Sequence, residues 1–458
     1  MGRTGRLRQR KKRVAHLLHD TVDILMPLLQ RMHWLGWHNP KQLTARSFPT
    51  TGRGLCSKTH TYQDGDTLIS LPLKCLVTIS TLEEAAHFKA QFDASKFQKD
   101  SKVPFQALLA LYLLHQQHLN DASHIHAYLK SLPQQFSTPY FCTITELKRL
   151  PEEILEKTVE QNRFIHESYA CLKKLFNTTQ CCSYCGQLYF DEIYTFNAFK
   201  WAYFAVNTRS VYVFSRQFKS DKFFFQPLLS DEPNMALAPF LDLFNHSATV
   251  TTSADLLPTG EHRQLEYVLT LEQCANSVKI RPYSQLFISY GALSNYKLLT
   301  EYGFFLPRNP HDYFSFSLTD VEEFLKHDQV HRNMFLHRNK FVFIRNHNLN
   351  DEMFVHLDDG ASHNLCVVLH LLLHEQSIYT NVLNQVAFGA VEHLANVEEE
   401  VNLLVRYKIN AYRSFINDLE KLATLSESGI VAKGYLAECI SFLESYLLKF
   451  EPSLTQAD

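Results

Sequence analysis

Glycine and proline are scarce, 14 and 16 among 458 residues. Long Gly- or Pro-rich linkers are thereby excluded, and most of the chain is expected to pack. An excess of charge of either sign is also missing: 45 basic residues face 47 acidic ones, a formal net charge of -2. That balance excludes a nucleic-acid coat over the whole protein. No apolar run approaches bilayer length; the richest, residues 367–373, is short and interrupted by His370. Residues 14–29 are broken by His16, His19, Asp20 and Asp23, so they form no secretory-signal core. No nucleophile triad, HExxH or P-loop pattern is found, which argues against a zinc protease or a P-loop nucleotidase.

The ten cysteines are irregularly spaced, as in a reduced intracellular protein. Cys181, Cys182 and Cys185 are clustered, and the last two have CxxC spacing. No second pair lies at finger spacing, so reduced thiols and no metal are expected. A basic cluster opens the chain: Arg3, Arg6, Arg8, Arg10, Lys11, Lys12 and Arg13. It reads as a solvated end or as a patch for nuclear import or an acidic partner. Cytoplasmic and nuclear residence is expected. Aromatics are plentiful, 34 Phe and 21 Tyr; most belong in a core, and some can line a recognition surface.

The length implies two or three domains. Residues 47–80 have β texture, with turns at Gly52 and Gly54 and at Asp64-Gly65-Asp66, a strand at 67–72 and a further short strand at 76–79. Residues 81–204 are mostly helical, with apolar residues at helix spacing in 105–119, 147–176 and 190–206. Residues 205–305 return to strands, including 265–271. There Ser294 is a helix N-cap and Gly303 suits the position just past that helix. From about 316 onward the pattern is that of a helical bundle, with helices at 366–372, 397–425 and 440–449.

The most informative stretch is 238–247, Ala-Pro-Phe-Leu-Asp-Leu-Phe-Asn-His-Ser. It places Asp242, Asn245 and His246 at the end of an apolar run, where a buried strand is expected to emerge. A second run, 286–289, ends in Tyr290-Gly291, and Tyr302 follows in Glu301-Tyr302-Gly303-Phe304. Polar groups closing apolar strands line a site more readily than they fill a core, because each needs a partner. Taken singly, Asn245 and His246 also read as a strand-end turn, the tyrosines as core, and Arg53 as surface.

In order along the chain stand Thr51-Gly52-Arg53-Gly54-Leu55, Asn207-Thr208-Arg209-Ser210, Asp242-Leu243-Phe244-Asn245-His246-Ser247, Tyr290-Gly291 with Ser294-Asn295, and Glu301-Tyr302-Gly303-Phe304. Together they resemble SET-domain protein methyltransferases of the Rubisco large-subunit methyltransferase type, over about residues 20–450. The resemblance implies an α+β fold: a β-rich SET core at 47–315 split by a helical insertion at about 81–204. An all-helical substrate-binding domain at 316–450 follows, and residues 1–46 form a basic tail and N-terminal helix. It also implies S-adenosylmethionine as cofactor, with Arg53, Gly54 and Leu55 over the donor and Thr208 and Arg209 nearby. Asn245 and His246 would hold the donor where two chain segments cross, with Asp242 able to offset charge. Tyr290 would stand near the methyl group, and Tyr302 would line the lysine channel as the second catalytic tyrosine. A family member that methylates histidine lacks the residue matching Tyr302, which favours lysine here.

The chemistry agrees with such a set. Methyl transfer to an amine is an in-line displacement and needs no strong general base. A lysine amine in water titrates near pH 10.4, so only about one in 2,500 is neutral at pH 7. Desolvation and a nearby sulfonium would lower that value, and tyrosine hydroxyls would aim the lone pair. The expectation is a protein-lysine methyltransferase acting on a histone or another protein, with no membrane partner and no sequence-specific contact to nucleic acid. A histidine methyltransferase or a catalytically silent binding module are the alternatives.

Overall fold

The computed structural model describes residues 25–97, 102–176, 179–214, 223–259, 264–275, 278–327, 337–389 and 396–450. The basic cluster at 3–13 lies outside them. The chain divides into two compact units, Met1–Phe136 with Val159–Ala292, and Ser137–Thr158 with Leu293–Asp458. The division falls at Leu293, ahead of the boundary expected at 316. Among the described residues no helix is long and apolar enough to cross a membrane.

The first unit is built from short antiparallel ladders. Strands β1 (Leu43–Phe48) and β2 (Gly52–Ser57) form a hairpin with Phe48 opposite Gly52. Gly52 has φ +68°, which glycine adopts without steric cost. Strand β3 (Thr67–Pro72) pairs with β8 (Gln264–Gln273), which pairs on its other side with β7 (Thr251–Thr259). Strand β8 alternates in burial, with Tyr267, Leu269 and Leu271 inward, so its register fixes which face meets the core. Two small pairs complete the β framework: β4 (Ser210–Tyr212) with β5 (Met235–Leu237), antiparallel, and β6 (Asn245–His246) with β9 (Phe287–Ile288), parallel.

The helical insertion packs around Phe105–Leu119. Residues 107–113 of this helix are fully buried, so it is apolar all round rather than amphipathic. It lies against Phe196–Arg209. An aromatic cluster of Phe88, Phe92, Phe176, Phe190, Tyr194 and Phe225 fills the space beside it. The helical pattern at 190–206 proves to be two helices, Phe190–Ile193 and Phe196–Arg209. Thr195 caps the second, its side chain accepting the Ala198 amide.

The second unit is mostly helical. Its core gathers Val368, Leu369, Leu372, Leu404, Leu436 and Leu443, all fully buried, from His363–Leu373, Glu398–Glu420 and Glu427–Phe450. It also holds a three-stranded sheet, β10 (Phe314–Ser315), β11 (Phe354–His356) and β12 (Gly360–Ala361). The expectation of an all-helical region is corrected there: strands of two or three residues are too short to show an alternating pattern.

Two local expectations are also corrected. The strand expected at 76–79 is a single bridge, Val77 with Leu237, followed at once by the helix Ile79–Glu84. Thr78 and Thr81 share a capping box that turns the chain. The run before Asp242 is no strand either. Phe240 has φ +71° and leads into a 3-10 turn, Leu241–Leu243, so Asp242 sits on a tight turn between β5 and β6.

Candidate active site

In the first unit three distant segments converge. Leu55 bridges Leu286, whose amide donates to the Leu55 carbonyl at 2.8 Å. Asn245 lies opposite Phe287, and His246 opposite Ile288. The Asn245 amide nitrogen donates to the Arg53 carbonyl at 3.1 Å and reaches the Thr51 carbonyl at 3.4 Å. Thr51 donates through its hydroxyl to Gln285 Oε1 at 2.7 Å. The Gly-Arg-Gly turn is thus held between residue 245 and the turn that starts β9.

Gly54 explains why this turn needs glycine. A Cβ there would stand 2.6 Å from Gln285 Nε2 and 2.9 Å from Asn245 Nδ2. Its backbone approaches both amides so closely that a Cβ would require the Gln285 or Asn245 side chain to shift.

Tyr290 is fixed at both ends. Its amide donates to His246 Nδ1 at 3.1 Å, and its hydroxyl donates to the Phe244 carbonyl at 2.7 Å. The two rings stack, with centroids 5.1 Å apart and planes inclined by 23°. Asn245, His246 and Tyr290 therefore share one junction.

Beside it lies a cluster of buried charge. Arg209, at the end of Phe196–Arg209, donates through Nη1 to the Asp242 carbonyl oxygen at 2.7 Å. Arg53 donates to the Ser131 carbonyl at 2.7 Å, and Tyr128 donates to Asp242 Oδ2 at 3.0 Å. Burial raises the Asp242 carboxyl above its usual range, against the pull of Arg209, the Tyr128 hydroxyl and Arg53. Burial likewise lowers Arg53, with Arg209 adding repulsion and Asp242 opposing both. Thr208 takes a different course: its hydroxyl donates to the Phe204 carbonyl of its own helix at 2.8 Å.

Several buried polar atoms here have no hydrogen-bond partner among the described residues: Arg209 Nε, Ser210 Oγ, Asp242 Oδ1 and Gln285 Nε2. Such atoms cost free energy unless a ligand or water meets them. Gln285, Tyr128 and Ser131 do not stand out in the sequence. Gln285 has a weak signal, a polar residue closing the turn before β9; Tyr128 and Ser131 have none.

Tyr302 belongs to the second unit. Asn295–Lys297 and the wider π-type turn Leu298–Tyr302 carry it, with Ser294 capping the start and Gly303 in the left-handed region at φ +78°. A Cβ on Gly303 would lie 2.7 Å from the Ser137 and Thr138 backbone. Burial, and then Glu301, raise the Tyr302 phenol, which favours its neutral form.

No protein-family model matches the chain. The fold does have solved counterparts. One is the crystal structure of the SET domain of LSMT bound to lysine and AdoHcy. It is 17% identical, with a TM-score of 0.59, covering 94% of this chain and 91% of that one. The fold is that of SET-domain methyltransferases. Sequence likeness narrows this: the mouse (Mus musculus) SET domain-containing protein 4 is 31% identical over 418 residues, 89% of this chain and 86% of its own length. The chain belongs to the SET domain-containing protein 4 family of SET-domain protein methyltransferases. Shorter likenesses extend to a zebrafish (Danio rerio) actin-histidine N-methyltransferase, 26% identical over 44% of this chain and 30% of that one. The fission yeast (Schizosaccharomyces pombe) ribosomal lysine N-methyltransferase set11 is 28% identical over 40% and 39%.

Proposed function

We propose that this chain moves a methyl group from S-adenosylmethionine to the side-chain amine of a protein lysine. The observation that carries the reading is the junction of residues 51–55, 245–247 and 286–290, with Tyr290 locked on His246. The LSMT neighbour binds AdoHcy, the demethylated form of that donor, together with lysine.

The unpartnered atoms fit an amino-acid-bearing cofactor. Arg209 Nε is a cationic donor suited to a carboxylate, and Asp242 Oδ1 is an acceptor suited to an ammonium. The bound donor supplies an electrophilic methyl on a sulfonium. Arg53, Gly54 and Leu55 flank it through backbone, and Asn245 holds the turn in place. Tyr290 orients the incoming amine, whose lone pair must point along the sulfur–carbon axis, and a part for Tyr302 in transfer rests on the family resemblance. Aromatic faces also favour the methylated ammonium product. The acceptor is a lysine of a histone or another protein, met in the cytoplasm or the nucleus.

Transfer of labelled methyl to protein by wild type, with at least tenfold loss in Tyr290→Phe and Tyr302→Phe, is the expected result. Equal labelling by all three would reject the roles of the tyrosines. A histidine acceptor is the second reading, favoured by the likeness to the zebrafish actin-histidine enzyme. Mass spectrometry of the modified residue separates the two.

A further inference from the structure

We propose that the helical insertion of the first unit binds one zinc ion through Cys182, Cys185 and His118. The two cysteines have CxxC spacing but lack a second pair in sequence, and the fold supplies the third donor from a helix far upstream. A nitrogen of His118 and the sulfurs of Cys182 and Cys185 all lie within 4.8 Å of one another. A zinc ion bonded to sulfur at about 2.3 Å and to nitrogen at about 2.1 Å spaces its donors roughly 3.5–3.8 Å apart.

The loop has the build of a metal knuckle. The Gly186 amide donates to the Cys182 carbonyl at 2.8 Å, and Gly186 has φ +63°, so the chain reverses directly after Cys185. The Leu188 amide donates to Cys185 Sγ at 3.4 Å, and the Cys182 amide to the Leu188 carbonyl at 2.8 Å. Amide donation to sulfur stabilises a thiolate, the form that binds metal. Both cysteines are free thiols.

The third donor sits on a rigid element. His118 occupies the last turn of Phe105–Leu119, and its Nε2 is buried without a hydrogen-bond partner among the described residues. An orphaned imidazole nitrogen beside two thiols is an arrangement that a bound cation would satisfy. Tyr184 packs edge-on against His118 at 5.9 Å between ring centroids, and Ser183 accepts from Gln91 at 3.0 Å. The loop is therefore docked with its sulfurs toward the histidine. Three protein donors leave the fourth position to water, and the ion would pin the loop to the end of the helix.

The test is metal content of the full-length protein, made without a histidine tag, in zinc-supplemented medium and dialysed against a weak chelator. About one zinc per chain is expected for wild type, Cys171→Ser and Cys181→Ser. A roughly tenfold lower content is expected for His118→Gln and for the Cys182→Ser/Cys185→Ser double variant. Far-ultraviolet circular dichroism identifies variants that remain folded. Cobalt loaded in place of zinc supplies a second readout. Thiolate-to-cobalt charge-transfer absorption is expected in wild type and at about half strength in Cys185→Ser. Wild type with no zinc and no such band would overturn the proposal, as would a Cys182–Cys185 disulfide in the protein as isolated. Zinc lost from Cys181→Ser would overturn the three-donor assignment.

Discussion

Asp242 is buried near two guanidiniums, Arg53 and Arg209, whose pull opposes the burial that raises its carboxyl. Replacing it with Asn preserves shape but leaves Arg53 and Arg209 to repel each other in a buried place. A loss of about 3 kcal/mol of stability is expected for Asp242→Asn, measured by urea unfolding. A change below about 0.5 kcal/mol would show that Asp242 does not balance them. Tyr290 calls for a different outcome. Tyr290→Phe loses the bond to the Phe244 carbonyl while keeping the stack on His246. Methyl transfer is expected to fall by roughly tenfold or more, while affinity for S-adenosylmethionine changes less than about threefold. A proportional loss of both would make Tyr290 a binding residue alone.

Among elements, the segment Ile144–Leu147 shows how the second unit is tied together. Glu146 is buried, and its carboxylate accepts from the Ser426 amide at 2.6 Å, the Ser426 hydroxyl at 2.8 Å and the Thr143 amide at 2.7 Å. Burial works to raise its carboxyl, but the bonds from Ser426 and Thr143 outweigh it and hold it below the usual glutamate range. A depressed carboxyl stabilises the fold above its unfolded pKa of about 4.5, and that contribution disappears as pH falls through the folded value. Glu146→Gln is expected to destabilise by about 1–3 kcal/mol at pH 7 and to flatten acid unfolding below about pH 4.5, followed by thermal melts across pH. An unchanged acid limb would contradict this. Elements with strong local signals were legible in the sequence: the apolar helix Phe105–Leu119, alternating β8, and the Ser294 cap with Gly303. Others were not, because their cause is remote. The turn at Phe240 depends on packing that no local pattern encodes, and β10 to β12 are too short for periodicity. Within the candidate site the Gly-Arg-Gly and Asn-His positions were legible as motifs. Gln285 and Tyr128 were not, since each acts through a partner more than a hundred residues away.

For the molecule as a whole, the acceptor's own titration decides between lysine and histidine. A lysine free in solution has a pKa of about 10.4, so transfer at low substrate should rise about tenfold per pH unit across pH 7–9 until that amine or the site titrates. A histidine acceptor would instead level off above about pH 7, because free imidazole is already neutral there. Initial rates of label transfer over this range distinguish the two, and a plateau beginning near pH 7 would displace lysine as the acceptor. The junction formed by residues 51–55, 245–247 and 286–290 can be tested without knowing any substrate. Calorimetric titration of S-adenosylmethionine into wild type and Gly54→Ala does so, because an added methyl at Gly54 would meet Gln285 and Asn245. Saturable binding by wild type, weakened at least tenfold in a folded Gly54→Ala, is the expected result. Equal binding by both proteins, or none by wild type, would contradict the placement of the donor at this junction.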